Sequence, residues 1–161
     1  MSSQVSALLD NIVTRMEAIT AQTALGGVSS FVHLPIGYDA ESALEDLKKP
    51  TRRFVVGLTG GREDGPPLLN QIDTGPPLRQ TFDVTVAYRQ RRDSFGLAKA
   101  IAEDVDDIGH ELQRTDGDRY DAATTGLWRR TTTGYEIEFD DAKGGVALLT
   151  IPVECDYEPT Y

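Results

Sequence analysis

Residues 144–161, GGVALLTIPVECDYEPTY, carry the clearest pattern in the chain. The odd positions Ala147, Leu149, Ile151, Val153, Cys155 and Tyr157 are all apolar or aromatic. The even positions start apolar at Val146 and Leu148 and turn polar at Thr150, Glu154 and Asp156. A period of two held this long specifies a long strand with one face in a core. The second half of the strand is expected to be half-exposed. Upstream, Leu127 to Asp140 reads as another strand. Tyr135, Ile137 and Phe139 share one parity and Trp128 falls on the other, so a bulge between the halves is expected. Asp140 to Gly145 reads as a turn, which makes the last two strands a hairpin.

Moving outward, Arg79 to Gln90 alternates in the same way. Phe82, Val84, Val86 and Tyr88 face one side; Thr81, Asp83, Thr85 and Arg89 face the other. A helix opened by Asp93 or Ser94 follows. Leu97, Ile101, Val105, Ile108 and Leu112 give it an apolar face, expected to cover the sheet. Thr115 to Thr125 reads as a polar connection.

The N-terminal half is less regular. Val5, Leu8, Leu9, Ile12, Met16 and Ile19 predict an amphipathic helix over the first 20 residues, ended by Gly26-Gly27. A short strand is expected from Ser29 to Ile36, and a short helix from Asp39 with Ala40, Ala43, Leu44 and Leu47 on one side. Pro50 stops that helix. Arg52 to Leu58 reads as a strand. From Thr59 to Leu78 the chain holds Gly60, Gly61, Gly65, Gly75, Pro66-Pro67 and Pro76-Pro77, with GPPL occurring twice. This predicts a long loop over 59–78, either ordering against a neighbouring subunit or forming a floppy hairpin tip. The expected fold class is α+β: one domain over 1–161 with a mainly antiparallel sheet, an N-terminal amphipathic helix, a long helix on one sheet face and a C-terminal β-hairpin.

At 161 residues, with 39% hydrophobic and 26% charged residues, the composition is that of a soluble globular domain. No apolar run approaches the roughly 18 residues that span a bilayer, and MSSQVSALLDNIV lacks the pattern of a signal peptide. One cysteine permits no internal disulfide, which fits cytosolic synthesis. Its parity makes Cys155 a packed core thiol rather than a reactive one. The net charge of −10 argues against broad nucleic-acid binding, since phosphate neutralisation needs a basic surface.

Catalytic and metal motifs are sparse. His33 sits near a strand end with no carboxylate or cysteine beside it in sequence. Glu103, Asp106 and His110 share a helix face, which is also the pattern of a solvated acidic surface. His110-Glu111 is followed by Arg114 where a zinc-binding H-E-x-x-H motif needs histidine. Gly57 to Arg62 lacks both the dinucleotide fingerprint and the P-loop Lys-Ser/Thr. The expectation is no enzyme, no cofactor and no metal. The arginines are more suggestive. Arg52-Arg53, Arg89-Arg91-Arg92 and Arg129-Arg130 all lie at strand ends, where some could converge on one edge and pair with a neighbour's carboxylates. Scattered surface charge is the competing reading. With Pro66, Pro67, Pro76 and Pro77 of the loop, these arginines form the candidate subunit interface.

The helix VSALLDNIVTRMEAI, the strand RQTFDVTVAYR, the helix SFGLAKAIAEDVDDIGHEL and the hairpin YEIEFDDAKGGVALLTIPVECDYEP stand in a recognisable order. In order, length and character they resemble the tail terminator and tail-completion proteins of long-tailed bacteriophages, over nearly the whole chain. The resemblance implies a hexameric ring, with no catalytic residues, that caps the tail tube, ends its polymerisation and offers a docking surface to the head. Its implied partners are further copies of itself, the tail tube protein and a head-closure or neck protein. DNA passes through the lumen without specific binding, eased by acidic charge, and no membrane is involved. The implied place is the tail or neck of the virion, assembled in the host cytoplasm. A head-closure adaptor is the neighbouring alternative; a small α+β enzyme or ligand-binding domain is the alternative from another class.

Overall fold

The structure, a computed structural model, describes residues 3–34, 51–63, 78–89, 94–140 and 145–159. The expected short helix from Asp39, the turn residues 141–144 and most of the Gly/Pro-rich stretch lie outside them.

The two alternating segments become the centre of the sheet. Strand β5 (Leu78–Arg89) pairs antiparallel with β8 (Val146–Tyr157) along the whole length of both, from Leu78 opposite Tyr157 to Arg89 opposite Val146. The parity read from sequence holds: Phe82, Val84, Val86 and Tyr88 are buried on one face with Leu149, Ile151, Val153 and Cys155. Strand β4 (Arg53–Glu63) lies on the other side of β5, with a register shift between Leu58 and Gly60. It corrects the expected loop: residues 59–63 and Leu78 belong to strands. Glycine weakens a strand, yet Gly60 and Gly61 keep their ladder partners Thr81 and Gln80. Strand β3 (Val32–His33) adds in parallel at the start of β4.

The expected strand from Leu127 to Asp140 is two strands. β6 (Leu127–Thr132) and β7 (Glu136–Asp140) pair with the two halves of one edge of β8. The expected bulge is thus a full break at residues 133–135, where Gly134 takes φ +91° and Thr133 N–H still donates to the Pro152 carbonyl at 3.1 Å. The expected hairpin is present as β7–β8. The sheet order is β3-β4-β5-β8-β6, with β7 also on β8.

Helix α1 (Gln4–Glu17) starts at Ser3, whose hydroxyl accepts from the Ser6 N–H at 3.1 Å. It ends earlier than expected, because Thr20–Leu25 (β1) and Val28–Ser30 (β2) form a small hairpin around Gly26-Gly27, both at positive φ. The alternating small residues of TAQTAL give a weak strand signal. Helix α2 (Ser94–Gln113) is the long helix. Leu8, Ile12 and Met16 of α1 and Leu97, Ile101, Ile108 and Leu112 of α2 close over one sheet face, as expected. Val105 is only partly buried, and Asp104 takes its place inside. The connection after α2 contains a 3-10 turn at Asp116–Asp118 and a one-turn helix, α3 (Ala122–Thr125). Gly126, at φ +67°, has no room for a Cβ against the Glu158 carbonyl. On the opposite sheet face Ala87, Val146 and Leu148 make a second small cluster with Leu34 and Val55. The architecture is α+β. Among the described residues no helix is long and apolar enough to cross a membrane.

Candidate assembly surface

Two of the arginines expected at a subunit interface are inside the subunit. Arg52 is fully buried, at φ +61° just before β4. Its Nε donates to Asp104 Oδ2 at 2.8 Å and its Nη2 to Oδ1 at 3.1 Å. Nη1 and Nη2 also reach the carbonyls of Val28 and Thr23 at 2.5 and 2.7 Å. The Tyr88 hydroxyl donates to Asp104 Oδ2 at 2.7 Å. One guanidinium thus ties the β1–β2 hairpin, α2 and β5 together, and these bonds hold Arg52 in the left-handed backbone region that non-glycine residues avoid. Burial pushes the Asp104 carboxyl up from its ordinary value, against the pull of hydrogen bonds from Arg52 and Tyr88.

Arg130 is likewise buried. Its Nε donates to the Leu112 carbonyl at the end of α2 and its Nη1 to Asn11 Oδ1, both at 2.7 Å, while the guanidinium lies over the Tyr120 ring. A cation at a helix C-terminus is favourably placed. The expectation that Arg52 and Arg130 belong to a subunit interface is therefore corrected: both are buried within the subunit.

Arg129 is placed differently. Arg79, Asp156 and Arg129 are cross-strand neighbours on β5, β8 and β6. Asp156 accepts from Arg79 Nε at 2.7 Å and from Arg129 Nε and Nη2 at 2.8 and 2.6 Å. Burial pushes the Asp156 carboxyl up, but these hydrogen bonds outweigh it and hold it below the usual carboxylate range. The Arg129 side chain remains 53% exposed and lies over the ring of Trp128, which is itself 50% exposed. Sequence reading singled out neither Arg79 nor Asp156, because their contact depends on strand order; RQTF read against ECDY in antiparallel register contains the signal.

The arginine sets do not converge. Arg53, half-buried, and Arg89, exposed, lie at one end of the sheet where β4 starts and β5 finishes; Arg129 lies at the other. Arg91, Arg92, Pro66, Pro67, Pro76 and Pro77 fall outside the described residues.

Both sheet edges are open among the described residues. On the β6–β7 edge Trp128, Tyr135 and Phe139 are each about half exposed, and Glu136 and Glu138 are exposed. Desolvation and then the Glu136 charge raise the Asp83 carboxyl from its ordinary value, so these two carboxylates are neighbours on the sheet face opposite the helices. The break between β6 and β7 opens a cleft of about 290 Å³ lined by Val105, Gly109, His110, Gly134, Tyr135 and Ile151. On the other edge, among the described residues, the outer side of β4 has no strand partner beyond Phe54, and Leu58 is 58% exposed.

Cys155, His33 and Glu103 make contacts within the fold. Burial pushes the Cys155 thiol up to about 12, which makes it the packed core thiol its parity indicated. His33 packs its ring against Phe54. Glu103 accepts from the Thr23 hydroxyl at 2.8 Å, and among the described residues no group of three or more His, Cys, Asp or Glu side chains is placed to hold a metal.

No protein-family model and no curated protein matches the sequence. Among solved structures, the chain is similar to one from the virion of a native gene transfer agent (GTA) particle, with a TM-score of 0.55 at 16% identity. The match covers 99% of this chain and 100% of that one, so the likeness of fold runs from end to end.

Proposed function

We propose that this chain is a non-enzymatic structural protein of a phage-like virion, and that it acts as the tail terminator: a hexameric ring that caps the tail tube, ends its growth and joins it to the head. The observation that carries the reading is the end-to-end likeness of fold to a virion chain. The open sheet edges support it, because a ring needs two different patches that meet between neighbours. The net charge of −10 suits a lumen that repels phosphate and lets DNA slide. The same reading assigns the Gly/Pro-rich stretch with Pro66, Pro67, Pro76 and Pro77 to contact with a neighbouring copy or the tube.

The test is electron microscopy of lysates from the parent phage with this gene disrupted. Overlong tubes without heads, beside filled heads, are the expected result. Heads that leak DNA beside tails of normal length would assign the chain to head closure instead, and intact particles would overturn the assembly role.

A further inference from the structure

The two edges of the sheet differ in kind. Among the described residues nothing pairs with the outer edge of β4 from Val55 to Gly61, a stretch with no charged residue and no proline, and Gly57 has open space where a Cβ would stand. Soluble proteins blunt exposed strand edges with charge, proline or a cover, because unpaired N–H and C=O groups recruit another strand. The opposite edge carries Glu136, Glu138, Phe139, Tyr135 and Trp128, all exposed.

We infer that copies of this chain join edge to edge, the outer edge of β4 on one copy adding to the β6–β7 edge of the next, so that the sheet continues from subunit to subunit. Pairing β7 with β7 would set Glu136 and Glu138 against like charges, which destabilises a cross-strand pair. Pairing β4 with β4 would leave the three aromatic side chains uncovered. The unlike pairing avoids both. It brings the end of the sheet that holds Arg53 toward carboxylates of opposite sign, and apolar Leu58 toward the aromatic edge. Glycines at 57, 60 and 61 let another backbone approach closely. A heterologous contact of this kind closes into a ring when its rotation allows. The inference deepens the ring reading and rests on it for the choice of a second copy as occupant.

The full chain provides its own tools for a test. Cys155 is buried, so engineered thiols react against a silent background, and Trp128 is the only tryptophan. Gly57→Cys and Glu136→Cys place thiols on the two edges, on the same sheet face. Treated with a bismaleimide, the double variant should give a ladder of oligomers, each single variant should stay monomeric, and Trp128 emission should shift to the blue as concentration rises. Dimers from either single variant, or no ladder from a double variant that melts normally, would overturn the inference. Oligomers in sedimentation without a ladder would overturn the edge pairing and leave the ring standing. A ladder together with intact particles from the gene-disrupted phage would uphold the pairing and remove the tail role.

Discussion

Arg52–Asp104 and Arg129–Asp156 are the same chemical pair in two settings. The first has both side chains at 0% exposure. The second has its aspartate 2% and its arginine 53% exposed. Inside, the pair must satisfy every polar atom locally, and Tyr88 and two backbone carbonyls complete it. At the sheet edge, water takes part of the load, and Arg129 and Trp128 stay available to a partner. The contrast teaches that an arginine's place relative to the core, rather than its place at a strand end, decides whether it is enclosed in the fold or left exposed at the surface.

The largest effect is expected from breaking the interior pair. Asp104→Ala strands the Arg52 charge in the core and should cost roughly 3–5 kcal/mol, read as a fall of about 10 °C in Tm. The double replacement Arg52→Met/Asp104→Leu should recover much of that loss, since a buried ion pair exchanged for apolar groups of similar volume is often near neutral. A double variant no better than Asp104→Ala would mean that the backbone contacts of Arg52 dominate.

Asp156→Ala is expected to cost less, about 1–3 kcal/mol, because the released Arg129 can hydrate. The pH dependence sharpens this. Asp156 titrates below its ordinary value of 3.8 in the folded chain. Its stabilisation is therefore present above that value and lost as pH falls through the folded one. Thermal melts of wild type and Asp156→Asn should differ at neutral pH and converge below about pH 4; a constant gap would deny the linkage.

Arg129→Ala should change stability by under about 1 kcal/mol while weakening self-association measured by sedimentation. Equal losses in both would erase the contrast between the two pairs. Smallest of all, deletion of residues 66–77 should leave Tm unchanged and reduce assembly; a marked loss of thermal stability would mean the segment is packed into the fold.

Much of the fold was legible because it rests on local periodicity. The alternation in β5 and β8 and the apolar stripes of α1 and α2 each report which face is buried. What escaped depends on contacts between distant segments. Asp104 lies on the inner stripe of α2, three residues after Ile101 and four before Ile108, but its charge reads as surface until Arg52 is known to meet it. Val105 fits the apolar stripe but is only partly buried, so Val105→Asp, which the stripe predicts to unfold the domain, should be milder than Ile108→Asp. Gly60 and Gly61 read as loop because glycine has no strand preference of its own, and their pairing with β5 is non-local. Arg129 stood out in the sequence as one of several arginines, while its contact with Asp156, the place of Arg79 beside it and the open edges required strand order.

The most direct test of the whole is cryo-electron microscopy of the complete particle at its head–tail junction. The expected density is a hexameric ring of this fold at the head-proximal end of the tail tube, with β4 of each copy against β6 and β7 of its neighbour. A particle that lacks this chain, or holds it elsewhere without contact between sheet edges, would contradict both the terminator role and the edge pairing.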